Sequence, residues 1–116
     1  MRSATVAVDF DLRVTTYVAG AGGTPPRARV SLAGDVAKAT PGPARVMAVF
    51  YDDNGKPAAT GERAVLVDDA GRAELSGTFP LAEGVYIARV AVRDSAGRFA
   101  SVERTVRVDR DCEPAC

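Results

Sequence analysis

The residues with the greatest chemical potential in this chain are two pairs of adjacent acids, Asp52-Asp53 and Asp68-Asp69, and two cysteines, Cys112 and Cys116. The sequence contains no histidine. Its absence removes the commonest general base, the Ser-His and Cys-His nucleophile pairs and the usual zinc ligands. Paired carboxylates can still divide acid and base roles, but only where a cleft raises the pKa of one of them. Here each pair opens a short polar segment, Asp52-Asp53-Asn54-Gly55-Lys56 and Asp68-Asp69-Ala70-Gly71-Arg72, and the same grammar returns at Asp94-Ser95-Ala96-Gly97-Arg98. In each segment the Asp can accept hydrogen bonds from its own turn, the Gly takes a left-handed conformation, and a basic residue opens the next strand. Carboxylates in exposed turns stay ionised, so no catalytic residue and no enzyme activity are expected.

Metal and redox chemistry are weighed in the same way. A hard cation such as calcium takes about six to eight oxygens. Asp52, Asp53, Asn54 and Asp94 could supply some of them if the loops clustered at one end, but each turn is too short to form a cage alone and a basic residue follows every turn glycine. No metal site and no cofactor are expected. Cys112 and Cys116 form a C-x-x-x-C pair within DRDCEPAC. The spacing lacks the two-residue gap of thioredoxin-type motifs, and two thiols without histidine make a poor metal site. A local disulfide is expected instead, with Pro114 helping the chain turn. It would close a tiny loop, add little stability and indicate an oxidising compartment.

The elements that must position these turns are strands. Residues 5–18 alternate cleanly, with Val6, Val8, Phe10, Leu12, Val14 and Val18 on one face and Asp9, Asp11, Arg13 and Thr15 on the other. The run exceeds the usual strand length, so a first strand that bends near Asp9–Asp11 and contributes to two sheets is expected. Gly20–Pro26 reads as a loop, and 27–36 as a second strand with Ala28, Val30, Leu32 and Val36 facing in. Ala39–Pro43 is a further punctuated loop. Arg45–Tyr51 is apolar on both faces, the mark of a strand placed centrally and covered on both sides. Strands at 62–67 and 72–79 come next, and the three Asp-Gly turns predict antiparallel connections. The stretch 84–108 predicts a hairpin with Tyr86, Ala88, Val90 and Val92 on one face of its first strand and Val102, Val106 and Val108 on one face of its second. No ten-residue window carries a helical pattern unbroken by Gly or Pro.

The chain thus has seven extended segments at spacings typical of a double-layered β-sandwich. At 116 residues it fits one domain, 1–108, with a polar tail at 109–116 that holds the cysteine pair. A chain of this size buries roughly two-thirds of its unfolded surface. Its 15 basic and 15 acidic residues balance, which argues against nucleic acid or an anionic membrane as the main partner. No segment is long enough to span a membrane as a helix. The opening MRSATVAVDF lacks the apolar core of a signal peptide, which fits either a cytosolic protein or a mature or excised domain with an added Met, and the second is the reading expected here.

The segment Leu81-Ala82-Glu83-Gly84-Val85-Tyr86, with Arg89-Val90-Ala91-Val92 and Asp94 after it, resembles the entry to the penultimate strand of immunoglobulin-like and fibronectin-III-like domains. There a Gly precedes a Tyr whose hydroxyl returns to the backbone, the tyrosine corner, and Tyr86 is the matching position. The chain departs from antibody domains in having no Trp and no cysteine pair inside the strands. From Leu12-Arg13-Val14-Thr15-Thr16-Tyr17 to the last strand it also looks like the β-sandwich that trails von Willebrand A-like domains in some secreted bacterial proteins. The resemblance implies an all-β, seven-stranded antiparallel immunoglobulin-like β-sandwich, a module of a larger extracellular or cell-surface bacterial protein. It carries over no site residues.

If 45–51 pairs with 85–93, as that topology requires, Met47, Val49 and Tyr51 lie near Val85, Ile87 and Ala91 and form an apolar outer patch, unless a loop at 20–26 or 37–43 covers them. The expected function is therefore a non-catalytic structural or interaction module that binds protein, including copies of itself, through an apolar sheet face or edge strand. One alternative is a fibre subunit in which Val6, Val8, Phe10 and Leu12 complete a neighbour's sheet. Another is a carbohydrate-binding module, which would stack sugars on Tyr17 or Tyr51.

Overall fold

The computed structural model describes residues 5–22 and 27–108. Eight strands run in order: β1 (Thr5–Val8), β2 (Asp11–Gly22), β3 (Arg27–Ala37), β4 (Gly42–Tyr51), β5 (Pro57–Val67), β6 (Ala73–Leu81), β7 (Gly84–Arg93) and β8 (Phe99–Val108). They form a five-stranded sheet ordered β1-β8-β7-β4-β5 and a three-stranded sheet ordered β2-β3-β6, with every pairing antiparallel. This is an all-β sandwich. The seven segments expected from the sequence are all present, and the first is divided: β1 joins β8 in one sheet, and after Asp9-Phe10 the chain crosses to the other sheet as β2.

The crossing is pinned by polar and ring contacts. The Asp9 amide donates to the Phe99 carbonyl at 2.9 Å, its carboxylate accepts from the Phe99 amide at 2.9 Å, and Arg98 donates to its carbonyl. Phe10, only 3% exposed, turns into the core beneath the Arg98 guanidinium, which lies 5.7 Å from the ring centroid. The positive charge of the guanidinium over the ring face adds to burial in holding this corner.

Period-two alternation places one side chain in two of every strand in the interior. Ala28, Val30, Leu32 and Val36 of β3 face Ala44, Ala48 and Phe50 of β4, Tyr86, Ala88, Val90 and Val92 of β7, and Val102, Val106 and Val108 of β8, and all are buried. Phe50 and Phe79 pack across the sheets with ring centroids 4.9 Å apart at 55°. Burying a side chain such as Phe50 or Leu81 contributes on the order of 2–3 kcal/mol. The interior divides into two clusters, one around Phe50 and Tyr86 and one around Phe10 and Val92, with Leu12 and Val46 packed against both.

Several boundaries differ from the sequence reading. β5 starts at Pro57, five residues before 62, because Ala58, Ala59, Thr60 and Gly61 lie on an edge strand and give no amphipathic signal. β2 runs on through Gly20 to Gly22, past a register shift between Ala19 and Gly22, where a loop was expected. The turn at 68–72 is also not a hairpin within one sheet: it carries the chain from β5 in the five-stranded sheet to β6 in the three-stranded one. Its internal bonds match those of the two true hairpin turns, so local sequence cannot separate an arch from a hairpin. Residues 1–4, 23–26 and 109–116 lie outside the described part, and with them the expected disulfide between Cys112 and Cys116.

Candidate interaction surface

The acids singled out by the sequence are absorbed by turn structure. In each Asp-Gly turn the Asp amide donates to the carbonyl four residues on, and its carbonyl accepts from the Gly amide. One carboxylate oxygen accepts from two further amides: Asn54 and Lys56 for Asp52, Ala70 and Arg72 for Asp68, Ala96 and Arg98 for Asp94, at 2.9–3.0 Å. Gly55, Gly71 and Gly97 have φ of 81°, 80° and 83°, a conformation glycine adopts without steric cost.

Asp94 differs from the other two in being buried. Its second oxygen accepts from the Thr40 amide at 2.9 Å, tying the β7–β8 turn to the connection before β4. Burial alone would raise its pKa. The hydrogen bonds from the Thr40 amide and hydroxyl and from the Arg98 and Ala96 amides outweigh it and hold the carboxyl below the ordinary range for an aspartate. Such a group is an anion that anchors structure, not an acid poised to give up a proton near neutrality. Because β4 and β7 are antiparallel, Asp52, Asp53 and Asn54 lie at the opposite end of the sandwich from Asp94. The oxygens that a shared calcium site would need are therefore not brought together.

The apolar residues are brought together. β4 and β7 pair with Met47 opposite Ala91, Val49 opposite Arg89 and Tyr51 opposite Ile87, while Val85 lies next along β7, opposite Arg107 of β8. All five apolar candidates, Met47, Val49, Tyr51, Val85 and Ile87, thus share the outer face of the five-stranded sheet. Met47 is 45% exposed and Val85 43%, and the other three are half-buried. The expectation that the 45–51 strand is covered on both sides is corrected here. Of its inner set Ala48 and Phe50 are buried and Val46 is partly buried, but its outer set carries no second layer of described residues. The connection at 38–41 does not cover it, being tied to Asp94 and Ser95 at the end of the sandwich.

Charges on this face are arranged around the apolar strip. Arg45 pairs with Glu62 of β5, and Arg89 pairs with Glu103 of β8, its Nε donating at 2.9 Å. Arg93 and Arg107 face no cross-strand acid: Arg93 lies between Arg45 and Phe99, and Arg107 beside Val85. Among the small residues, Ala91 and Ser101 are sunk into the face, and the buried Ser101 hydroxyl has no hydrogen-bond partner among the described residues. The outer face of the three-stranded sheet has a different character. It carries Asp11, Arg13, Thr15, Ser31, Asp35 and Thr78, with an Arg13–Asp35 ion pair and a Ser31–Thr78 hydroxyl contact at 3.4 Å. Tyr17, 59% exposed, is its aromatic ring.

The residues proposed for strand exchange divide. Phe10 and Leu12 pack into this chain's own core, and Val6 and Val8 belong to β1, which pairs with β8 of the same chain.

No family model matches the sequence, and no curated protein matches it. Solved structures do. A candidate β-galactosidase from Bacteroides fragilis superposes with a TM-score of 0.64 at 15% identity, over 80% of this chain and 16% of that one. A Bacteroides uniformis β-glucuronidase gives 0.63 at 14% identity, over 83% and 13%. A structural-genomics target, SoR45, gives 0.56 at 11% identity, over 91% of this chain and 90% of that one. The likeness is one of fold. The chain spans about a sixth of the length of the galactosidase and less of the glucuronidase, so it matches a single β-sandwich portion of each.

Proposed function

We propose that the chain is a non-catalytic immunoglobulin-like module of a bacterial surface or secreted protein, and that it binds another protein through the outer face of its five-stranded sheet. Two features support the immunoglobulin or fibronectin-III type. The division into sheets of three and five strands, with β7 between β8 and β4, matches that topology. The Tyr86 hydroxyl donates to the Ala82 carbonyl at 2.8 Å, the return bond of a tyrosine corner. The fold-level neighbours in which a similar sandwich is a minor share of a long Bacteroides chain support a modular role.

The observation that carries the interaction reading is the contiguous, half-exposed strip of Met47, Val49, Tyr51, Ile87 and Val85, set against the polar opposite face. Monomers rarely expose contiguous apolar surface without a use for it. The partner that fits is a protein surface with an apolar centre and an acidic rim. Arg45 and Arg89 are already neutralised by Glu62 and Glu103, whereas Arg93 and Arg107 offer their charge outward, and two identical copies would set like charges against each other.

Hydroxyl-radical footprinting tests this, comparing the isolated chain with the same chain inside the full-length product of its gene in intact cells. Oxidation of Met47 is expected to fall several-fold in the intact setting while that of Tyr17 is unchanged. Equal oxidation of Met47 in both settings contradicts the reading. Protection that also appears in the isolated chain as its concentration rises assigns the face to self-association instead.

A further inference from the structure

We propose that the gap between the two sheets on the β5–β6 side binds a small anionic amphiphile, an alkyl chain of about six carbons ending in a carboxylate. The two core clusters do not merge on this side. Between them lies a cavity of about 180 Å³, open to solvent between β5 and β6, with Val14, Leu32, Ala48, Leu75, Phe79 and Val90 among its walls. An apolar cavity of about 150 Å³ stays dry and accepts a benzene-sized guest, so this one has room for a short alkyl chain.

The opening arises from the sequence of the two edge strands. By register the core-facing positions at the middle of β5 and β6 are Gly61, opposite Ala48, and Gly77, opposite Leu32. A Cβ at Gly61 would stand 2.9 Å from the Phe79 ring, and one at Gly77 would stand 3.3 Å from it. The glycines therefore make way for a half-buried ring at the mouth, and no larger side chain closes it. A glycine inside a strand often marks such a close approach.

The charge at the mouth selects the ligand. Arg63 occupies a core-facing position of β5, opposite Val46, where a charge must reach water or a partner. It reaches across the gap and donates to the Ser76 carbonyl of β6 at 3.1 Å. One neutral acceptor uses few of the guanidinium's five donors, and no carboxylate pairs with Arg63 among the described residues. Glu62, also at the rim, is engaged by Arg45 on the outer face. A carboxylate on the end of an alkyl chain seated in the cavity would meet the free edge of Arg63 in a charge-assisted pair.

The test is a titration of the isotopically labelled chain with hexanoate, hexanol and hexylammonium, monitored by amide shifts. Hexanoate is expected to give saturable shifts at Val14, Leu32, Ala48 and Val90, and hexylammonium to bind at least about tenfold more weakly. Arg63→Gln should weaken hexanoate by about tenfold and leave hexanol unchanged. Ala48→Leu, which fills the cavity from within, should abolish all three responses; Val65→Phe fills it from the edge strand and serves if Ala48→Leu does not fold. Absence of saturable shifts at millimolar hexanoate, or unchanged binding in a folded cavity-filling variant, would overturn the proposal.

Discussion

The turns at 52–56 and 94–98 share a sequence grammar and local hydrogen bonds, yet they do different work at opposite ends of the sandwich. At one end Asp52 is half-buried beside the exposed residues 53–56, and its carboxylate serves the amides of Asn54 and Lys56. At the other, the Asp94 side chain is fully buried and its second oxygen reaches Thr40. Ser95 donates to the Pro41 carbonyl there, Ala39 donates to the Gly71 carbonyl, and Arg98 binds across to Asp9. The difference teaches that a short Asp-Gly motif fixes a local conformation, whereas its share in stability comes from what the fold brings beside it.

Breaking the comparison most severely means removing the buried carboxylate. Asp94→Ala leaves the amides of Thr40, Ala96 and Arg98 without their acceptor in a buried site and is expected to cost about 3 kcal/mol in urea unfolding. The glycines sharpen it next. Gly71→Ala combines a left-handed φ of 80° with a Cβ 2.8 Å from the Ala39 carbonyl oxygen, and should cost about 2–3 kcal/mol. Gly55→Ala has the same strain at φ 81° but meets nothing within 4 Å, and should cost about 1 kcal/mol. Asp52→Ala, whose freed amides are open to water, should cost less than about 1 kcal/mol in the same assay. The smallest effect belongs to neither end. Met47→Lys on the half-exposed face should change stability by less than about 0.5 kcal/mol, since that side chain is 45% exposed and lies outside both core clusters.

The core and the turns were legible because both rest on local rules. Alternation alone places Val30, Val36, Val90, Val92, Val102 and Val106 inside, and all are buried. The bend at Asp9–Asp11 was legible because fourteen alternating residues cannot lie in one strand of ordinary length. Information that depends on distant partners was not legible. In the sequence the strand reads from 62 and not from 57 because small side chains on an edge strand carry no pattern. The arch at 68–72 read as a hairpin because its bonds are the same in either setting. The outer apolar strip could be assembled from the assumed pairing of 45–51 with 85–93, and its register agrees with that pairing. The cavity could not, because Gly61 and Gly77 read as interruptions until Phe79 is seen between them.

The central claim is that the buried Asp94 carboxylate is held as an anion by the amides around it and anchors the β7–β8 turn to the connection before β4. The direct measurement is the pKa of Asp94, tracked through its carboxyl carbon by NMR alongside the pH dependence of unfolding. A folded pKa lowered from the unfolded value of 3.8 stabilises the fold fully above that value, and the contribution is lost as pH falls through the folded pKa. The account therefore predicts a lowered Asp94 pKa and an advantage of the native chain over Asp94→Asn that is constant from neutrality down to about pH 5 and shrinks below about pH 4. An Asp94 pKa raised toward neutrality, with an advantage that grows as the solution is acidified, would contradict it.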